Sequence, residues 1–430
     1  MNFGFWILDF GFQQPRASGL RRTCARRCLA ATSLRNPKSK IQNPKSILLA
    51  ALFSLAFASS TLADDEPSSF TLVTRDFQVK SVRLASMNDR TLVHMEESRG
   101  WVNVDLNQCV ALFSPAATED VHRPALGAVV LADGQRLPGE AVVGAPPQGE
   151  TLAWNHAWLG RVDVPLRLIA SVVLRSDVTA PAPGNNDIVL LVNGDRREGF
   201  VTAIGDPMTI DEGEGAAAQT VQIPLERVAA ITMVAPPQTG TGRRVWFTEG
   251  TVLDVQSIGV GEDGYVRLSG SALGGGTQPS RVGLADIAAI LFDRHTLVPL
   301  ASLAPTRVEG PITRYVVPKP TMLDPEAALG LSGIEYSGPT IVRYALPEGC
   351  QRFVAEAELP RKSRSWGDCE LIVRSDDQQV FRAHLNAATS TASVNVPLKG
   401  RELTIEVGAG AHGPIQDTLL LHRPMLLKGR

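Results

Sequence analysis

Ile223-Pro-Leu-Glu-Arg-Val-Ala-Ala-Ile-Thr232 is one of four versions of a single phrase. The others read Val104-Asp-Leu-Asn-Gln-Cys-Val-Ala-Leu-Phe113, Val164-Pro-Leu-Arg-Leu-Ile-Ala-Ser-Val-Val173 and Val282-Gly-Leu-Ala-Asp-Ile-Ala-Ala-Ile-Leu291. Their shared leucines, Leu106, Leu166, Leu225 and Leu284, stand 60, 59 and 59 residues apart. A fixed period of this kind marks a repeat architecture. Upstream of each copy runs a second phrase, Val129-Val-Leu-Ala-Asp-Gly134, Val189-Leu-Leu-Val-Asn-Gly194 and Val245-Trp-Phe-Thr-Glu-Gly250, degenerate in the first copy as Leu72-Val-Thr-Arg-Asp-Phe77. Glycine after an acidic or amide residue suits a tight hairpin. Gly139 and Gly199 follow five residues later, where a strand would bend.

Each copy therefore reads as four or five short strands closing into a small barrel or a curled sheet, with a turn of 3-10 helix before the last strand. The repeats span 70–114, 127–175, 187–234 and 243–293, separated by Pro-, Gly-, Ser- and Thr-rich linkers. Cys109 fills the apolar slot held by Ile169, Val228 and Ile287 in the other copies, so it reads as a core thiol. The pattern weakly resembles the Sm-like and SH3-like small barrels. The motifs through which Sm proteins bind RNA are absent, and fold likeness carries no function.

After a proline-rich connector the text changes. Residues 305–427 hold at least six alternating runs, among them Arg352-Phe-Val-Ala-Glu-Ala-Glu-Leu359, Glu370-Leu-Ile-Val-Arg374 and Glu402-Leu-Thr-Ile-Glu-Val407. Period-two runs between turns predict an antiparallel sandwich. The expected fold is all-β: four tandem barrel-like repeats and then a jelly roll.

Tyr344-Ala-Leu-Pro-Glu-Gly-Cys-Gln-Arg-Phe353, Cys369-Glu-Leu-Ile-Val-Arg374, Leu403-Thr-Ile-Glu-Val407, Asp417 and Arg423-Pro-Met-Leu426 carry a family resemblance. The region resembles the NPCBM family, the novel putative carbohydrate-binding module associated with family 98 glycoside hydrolases. That resemblance implies a galactose-binding-like jelly roll and a glycan as ligand. Leu420-Leu421 stands where the family carries Asp-Trp, and Leu359-Pro360 where an acidic pair follows the second strand.

The first 63 residues differ from the rest. They hold nine of the 42 bases and one of the 44 acids, leaving 33 bases against 43 acids and a net charge near -10 downstream. An acidic chain of that balance is a poor nucleic-acid binder. Ile47-Leu-Leu-Ala-Ala-Leu-Phe-Ser-Leu-Ala-Phe-Ala58 is an apolar core with lysines before it and Thr61-Leu-Ala63 after it. This is the pattern of a secretory signal, too short to span a bilayer comfortably. Residues 1–63 are thus expected to be leader and signal peptide, and the mature chain to be exported without a membrane span. Cys24 and Cys28 have no partners at metal spacing.

Motifs for catalysis are missing. Gly259-Val-Gly-Glu-Asp-Gly264 and Gly408-Ala-Gly-Ala-His-Gly413 match a dinucleotide pattern, but no helix follows either, so they read as hairpin loops. No cofactor, metal or catalytic residue is expected. Trp154, His156 and Trp158 read as local packing, with a ligand platform as the alternative. The ligand candidates are Trp366, Asp368 and Arg364 in one loop of the sandwich and His412 with Asp417 in another. An aromatic face stacks on a pyranose, and charged donors take hydroxyls. In an oxidising compartment, Cys350 and Cys369 could form a disulfide. The leading expectation is a non-catalytic exported glycan-binding protein on a repeat scaffold, its partner a polysaccharide or glycoprotein glycan. The alternatives are an unrecognised hydrolase and an interaction scaffold without sugar affinity.

Overall fold

The computed structural model describes residues 69–96, 99–114, 127–142, 150–213, 219–261, 263–271, 282–311, 318–410, 413 and 416–429. Residues 1–63, with Cys24 and Cys28, lie outside them. The described chain is all-β, its only helical turns being short 3-10 segments. None of its helices is long and apolar enough to cross a membrane.

The first repeat contains β1 (Ser69–Thr74), β2 (Val79–Met87), β3 (Thr91–Glu96), β4 (Gly100–Asp105) and β5 (Cys109–Phe113). The second contains β6 (Gly127–Leu131), β7 (Arg136–Ala141), β8 (Thr151–His156), β9 (Gly160–Pro165) and β10 (Ile169–Val173). The third holds β11 (Asp187–Leu191), β12 (Arg196–Ala203), β13 (Met208–Glu212), β14 (Gln219–Ile223) and β15 (Val228–Thr232). In the fourth, β16 (Arg243–Phe247) is followed by β17 (Val252–Val255), β18 (Ser257–Val260), β19 (Tyr265–Ser269), β20 (Val282–Gly283) and β21 (Ile287–Leu291).

One pairing plan serves all four. The second strand runs along the first and then bends to pair with the next, as β12 does with β11 through Gly199 and with β13 from Phe200; in the fourth copy it is broken into β17, paired with β16, and β18, paired with β19. Gly199 sits at that bend because a Cβ there would lie 2.3 Å from the Asp211 carbonyl oxygen. The recurrent phrase forms the 3-10 turn and last strand, Leu225–Arg227 and β15 in the third copy. That last strand returns to pair with the first: β5 with β1, β10 with β6, β15 with β11 and β21 with β16. Leu106, Leu166 and Leu225 are buried, and Leu284 packs against the same core while partly exposed. Cys109, Ile169, Val228 and Ile287 are all buried in their common slot.

The repeats are not separate beads. β5 also pairs with β21, and β10 with β15, so repeats one and four share a sheet, as do two and three. The two pairs have the same register: Leu112 faces Ile290, and at the equivalent positions Ile231 faces Val172. Single ladder contacts link β17 to β7 and β18 to β2. One continuous apolar cluster runs through all four repeats.

The hairpin between β8 and β9 clasps the fourth repeat. Trp158 meets Phe247 edge to face, with ring centroids 5.0 Å apart. His156 is buried, and its Nδ1 accepts from the Trp158 and Leu159 amides at 3.1 Å. Its Nε2 therefore carries the proton and donates to Thr251 Oγ1 at 2.8 Å. Trp154 is buried too, so this aromatic group is packing and not a ligand platform. Gly259–Gly264 is the hairpin between β18 and β19, as its spacing without a helix implied.

The sandwich begins upstream of residue 305. β22 (Leu297–Pro299) already pairs with its last strand, and Leu300 lies in its core. β23 (Arg307–Glu309), β24 (Thr321–Met322), β25 (Ile334–Ser337), β26 (Thr340–Ala345) and β27 (Cys350–Glu358) follow. The chain then forms β28 (Cys369–Ser375), β29 (Gln378–Leu385), β30 (Thr391–Pro397), β31 (Glu402–Ala409) and β32 (Thr418–Lys428). One sheet has the order β24-β25-β32-β27-β30, with β22 beside β32; the other is β23-β26-β31-β28-β29. Between them lies a core that includes Tyr336, Tyr344, Phe353 and Leu371, with the two tyrosine hydroxyls 2.9 Å apart. A third cluster joins sandwich and repeats: Val110, Ala111, Phe113 and Ala289 against Leu329, Leu331, Val354, Met425 and Leu427.

The expected disulfide is absent, and topology explains why. Cys350 and Cys369 are both free and buried. Cys350 opens β27, whereas Cys369 opens β28 after the loop that leaves the far end of β27. A nine-residue strand spans ~26 Å at ~3.3 Å per residue, far beyond the ~7 Å that a disulfide tolerates between Cα atoms.

Two predictions follow from these contacts. Because the repeats share one core, Leu225→Ala should cost about 2–5 kcal/mol and lower a single melting transition common to all four; a separate early transition for the third repeat would contradict the shared core. The second concerns pH. Burial pushes the Glu249 carboxyl from 4.5 up to about 7, with Asp286 adding to the rise. Its contribution to stability is full below pH 4.5 and is lost as pH rises through about 7. Burial lowers His156 from 6.5 to about 4, so its contribution is full above pH 6.5 and is lost as pH falls through about 4. Denaturant titrations of Glu249→Gln should lose less stability than the parent as pH is raised across the Glu249 window; equal losses would refute the assignment.

Candidate functional site

Residues 359–368 link the two sheets at one end of the sandwich. The loop opens with a 3-10 turn, Arg361–Ser363, and the Gly367 amide closes it by donating to the Ser363 carbonyl at 2.7 Å. Trp366 projects from this loop with 62% of its surface exposed. Elsewhere in the sandwich, Met322 and Leu323 are the large apolar side chains with comparable exposure among the described residues.

Ion pairs pin the loop to the outer face of the sheet that holds β27. Glu335 and Glu358 flank Leu420 in one cross-strand row. Lys362 Nζ donates to Glu335 Oε2 at 2.8 Å. Arg364 Nη2 donates to Glu358 Oε1 at 2.9 Å, and its Nε donates to the Leu359 carbonyl at 3.0 Å. The second oxygen of Glu358 takes His422 Nε2 at 2.7 Å. Arg364, expected as a sugar contact, is thus spent on holding the loop.

The aspartates lie deeper. Asp417 is 3% exposed and Asp368 8%. The Asp368 amide donates to Asp417 Oδ1 at 3.2 Å, and the Gly338 amide to the Asp417 carbonyl. Asp368 Oδ1 lies 2.6 Å from Nε2 of His384, a half-exposed residue of β29. The structure therefore brings Trp366, Arg364, Asp368 and Asp417 to one end of the sandwich in different roles. Trp366 faces solvent, Arg364 anchors, and the aspartates brace the loop from below. His412 lies outside the described residues.

His384, Glu358 and His422 were not singled out from sequence. Each sits in an alternating strand pattern with no motif around it, and only the pairing of β27, β28, β29 and β32 brings them to the loop. Burial raises the thiols of Cys109 and Cys369 to about 12, with Asp417 and Asp368 adding to the latter. Burial raises Cys350 as well. Among the described residues, no group of His, Cys, Asp and Glu could hold a metal ion.

Comparison with known proteins adds fold neighbours only. No family model matches the chain, and no curated protein matches it in sequence. Among solved structures it is similar to CBM51 from Clostridium perfringens GH95, solved in complex with methyl-galactose. Identity is 17%, the match covers 30% of this chain and 99% of that one, and the TM-score is 0.26. It is also similar to the tandem CBM51 modules of a family 98 glycoside hydrolase from Streptococcus pneumoniae, at 12% identity, 84% and 88% coverage and a TM-score of 0.26. The insecticidal delta-endotoxin Cry8Ea1 from Bacillus thuringiensis matches at 10% identity, 84% and 52% coverage and a TM-score of 0.21. Likeness at this level carries no argument about ligand or activity.

The cysteine geometry is directly testable. Native protein should resist a thiol reagent, because the reactive thiolate is suppressed. Once unfolded, residues 65–430 should release three thiols, those of Cys109, Cys350 and Cys369, whether or not a reductant was used. Release of a single thiol without reductant would restore the disulfide.

Proposed function

We propose that the terminal sandwich is a non-catalytic glycan-binding module carried on the four repeats, in a protein exported through its first 63 residues. The observation that carries this reading is Trp366, an exposed indole on a loop fixed beneath by ion pairs and buried carboxylates. A large apolar side chain costs free energy in water, and an indole held in place loses little entropy when it stacks. A pyranose presents a flat C–H face that suits such a shelf. His384, half-exposed and oriented by Asp368, supplies a polar group on the strand next to the loop's end for a sugar hydroxyl. Glycan binding by NPCBM-like modules agrees with this choice of ligand class, and a polysaccharide or glycoprotein glycan is the partner it implies.

The test is a glycan array probed with the whole exported chain, followed by affinity electrophoresis on the best ligand. Trp366→Ala should weaken binding by about 30-fold, the loss of ~2 kcal/mol expected at an aromatic hot spot, with an unchanged circular dichroism spectrum. Undiminished binding by the folded variant would place the site elsewhere. Absence of binding by the parent across the array would favour an interaction scaffold without sugar affinity.

A further inference from the structure

The two repeat pairs share one register, and with repeat four matched to two and repeat one to three a contact made in one pair has a counterpart in the other. Amide-to-carbonyl contacts beside the shared strands recur in both pairs: Phe292 donates to Val110 and Ser114 to Ala288 in one, Leu174 to Ala229 and Met233 to Ala170 in the other, all at 2.9 Å. At the rim of the pair formed by repeats one and four, Arg243 opens β16 and reaches the turn before β3. Its Nη1 donates to Asp89 Oδ1 at 3.2 Å and its Nη2 to the Asp89 carbonyl at 3.0 Å. The guanidinium pairs with that acid, beside a smaller cavity of about 280 Å³ lined by Asp89, Ser257 and Ile258.

The counterpart of Arg243 is Gly127, which opens β6, and the counterpart of Asp89 is Asp206. Each aspartate lies two residues before the third strand of its repeat, β3 at Thr91 and β13 at Met208. The acid is kept and the base is missing. It cannot be supplied at that position, because a Cβ on Gly127 would lie 2.3 Å from the Val173 carbonyl oxygen. The cavity between Gly127 and Asp206 is larger than its counterpart beside Asp89, at about 500 Å³. Its apolar lining comes from Ala141, Leu174, Leu225 and Val228, and Glu140, Glu226 and Asp206 line it too. Among the described residues of the lining, the one base, Arg175, already faces Asp177 at 3.6 Å.

We propose that this crevice receives an arginine or lysine side chain of a partner protein, in the place that Arg243 fills in the other repeat pair. The apolar lining would take the methylene stem, and the carboxylates would take the charged head. This site lies on the repeats, away from the Trp366 loop, and does not depend on the glycan reading. It gives the scaffold a binding role of its own.

The experiment is fluorescence anisotropy on the whole chain with a labelled Gly-Arg-Gly-Arg-Gly peptide, and with the same peptide carrying citrulline for arginine. The arginine peptide should bind about tenfold more tightly, and its affinity should fall as salt is raised. Asp206→Asn with Glu226→Gln should erase that preference. The asparagine keeps an acceptor for the Leu225 amide, which donates to Asp206 at 3.3 Å, so the variant is expected to fold. Asp377→Asn, an exposed change in the sandwich, should alter nothing. Equal binding of the two peptides, or no binding of either, overturns the proposal. So does undiminished preference in the folded double variant. Stronger binding of a glucosamine oligomer than of the arginine peptide overturns the choice of a protein partner.

Discussion

The last strand of each repeat is shared by two ladders, and the architecture depends on that sharing. β5 closes its own repeat against β1 and at the same time joins β21. A strand paired on both edges leaves no row of free amides to template another chain. In β5 every residue is also buried, because Cys109 and Leu112 face the common core while Val110, Ala111 and Phe113 face the sandwich. That double burial explains the unbroken apolar run Cys-Val-Ala-Leu-Phe, where a half-exposed strand would alternate. Units of about 45 residues bury too little surface to be stable alone. Pairing one with four and two with three, then joining the pairs through β7 and β17, gives all four a single core.

The sandwich docks on the outer face of that shared sheet, and a partly buried cation marks the joint. Arg423 adopts a left-handed conformation, φ 48°, where β27 and β32 slip register. Its guanidinium stands 5.1 Å from the centre of the Phe113 ring in the first repeat. A bulge re-aims side chains in this way, and an aromatic face offsets part of the cost of burying the charge. Burial lowers the Arg423 pKa, with Glu356 opposing the fall. The joint links the repeats to the strand that immediately follows the loop end bearing Asp417, so scaffold and candidate site are mechanically continuous.

At the candidate site, charge is used mainly for positioning. Lys362, Arg364, His422, Glu335 and Glu358 form pairs on the outer face, and Asp368 and Asp417 brace the loop from within. Exposed pairs of this kind contribute little to stability singly. Together they restrict a ten-residue loop to one shape, which keeps Trp366 presented to solvent.

How much of this was legible in the sequence depends on the range of the interaction. Strand alternation, the hairpin glycines and the 60-residue period are written in neighbouring residues, so the all-β class, the repeats and the burial of Cys109, Leu106, Leu166 and Leu225 could be read directly. The exposed Trp366 could be nominated, because an aromatic residue among polar ones in a loop is a local feature. Pairing partners could not be read: β5 meets β21 across some 175 residues, and nothing local states which edges meet. For the same reason Cys350 and Cys369 looked near in sequence yet lie at opposite ends of β27, and Arg364 proved to be an anchor once Glu358 was placed beside it. Short-range pattern determines which faces seek burial; only tertiary pairing decides which charges and edges find each other, because their energies depend on distances that sequence separation does not encode.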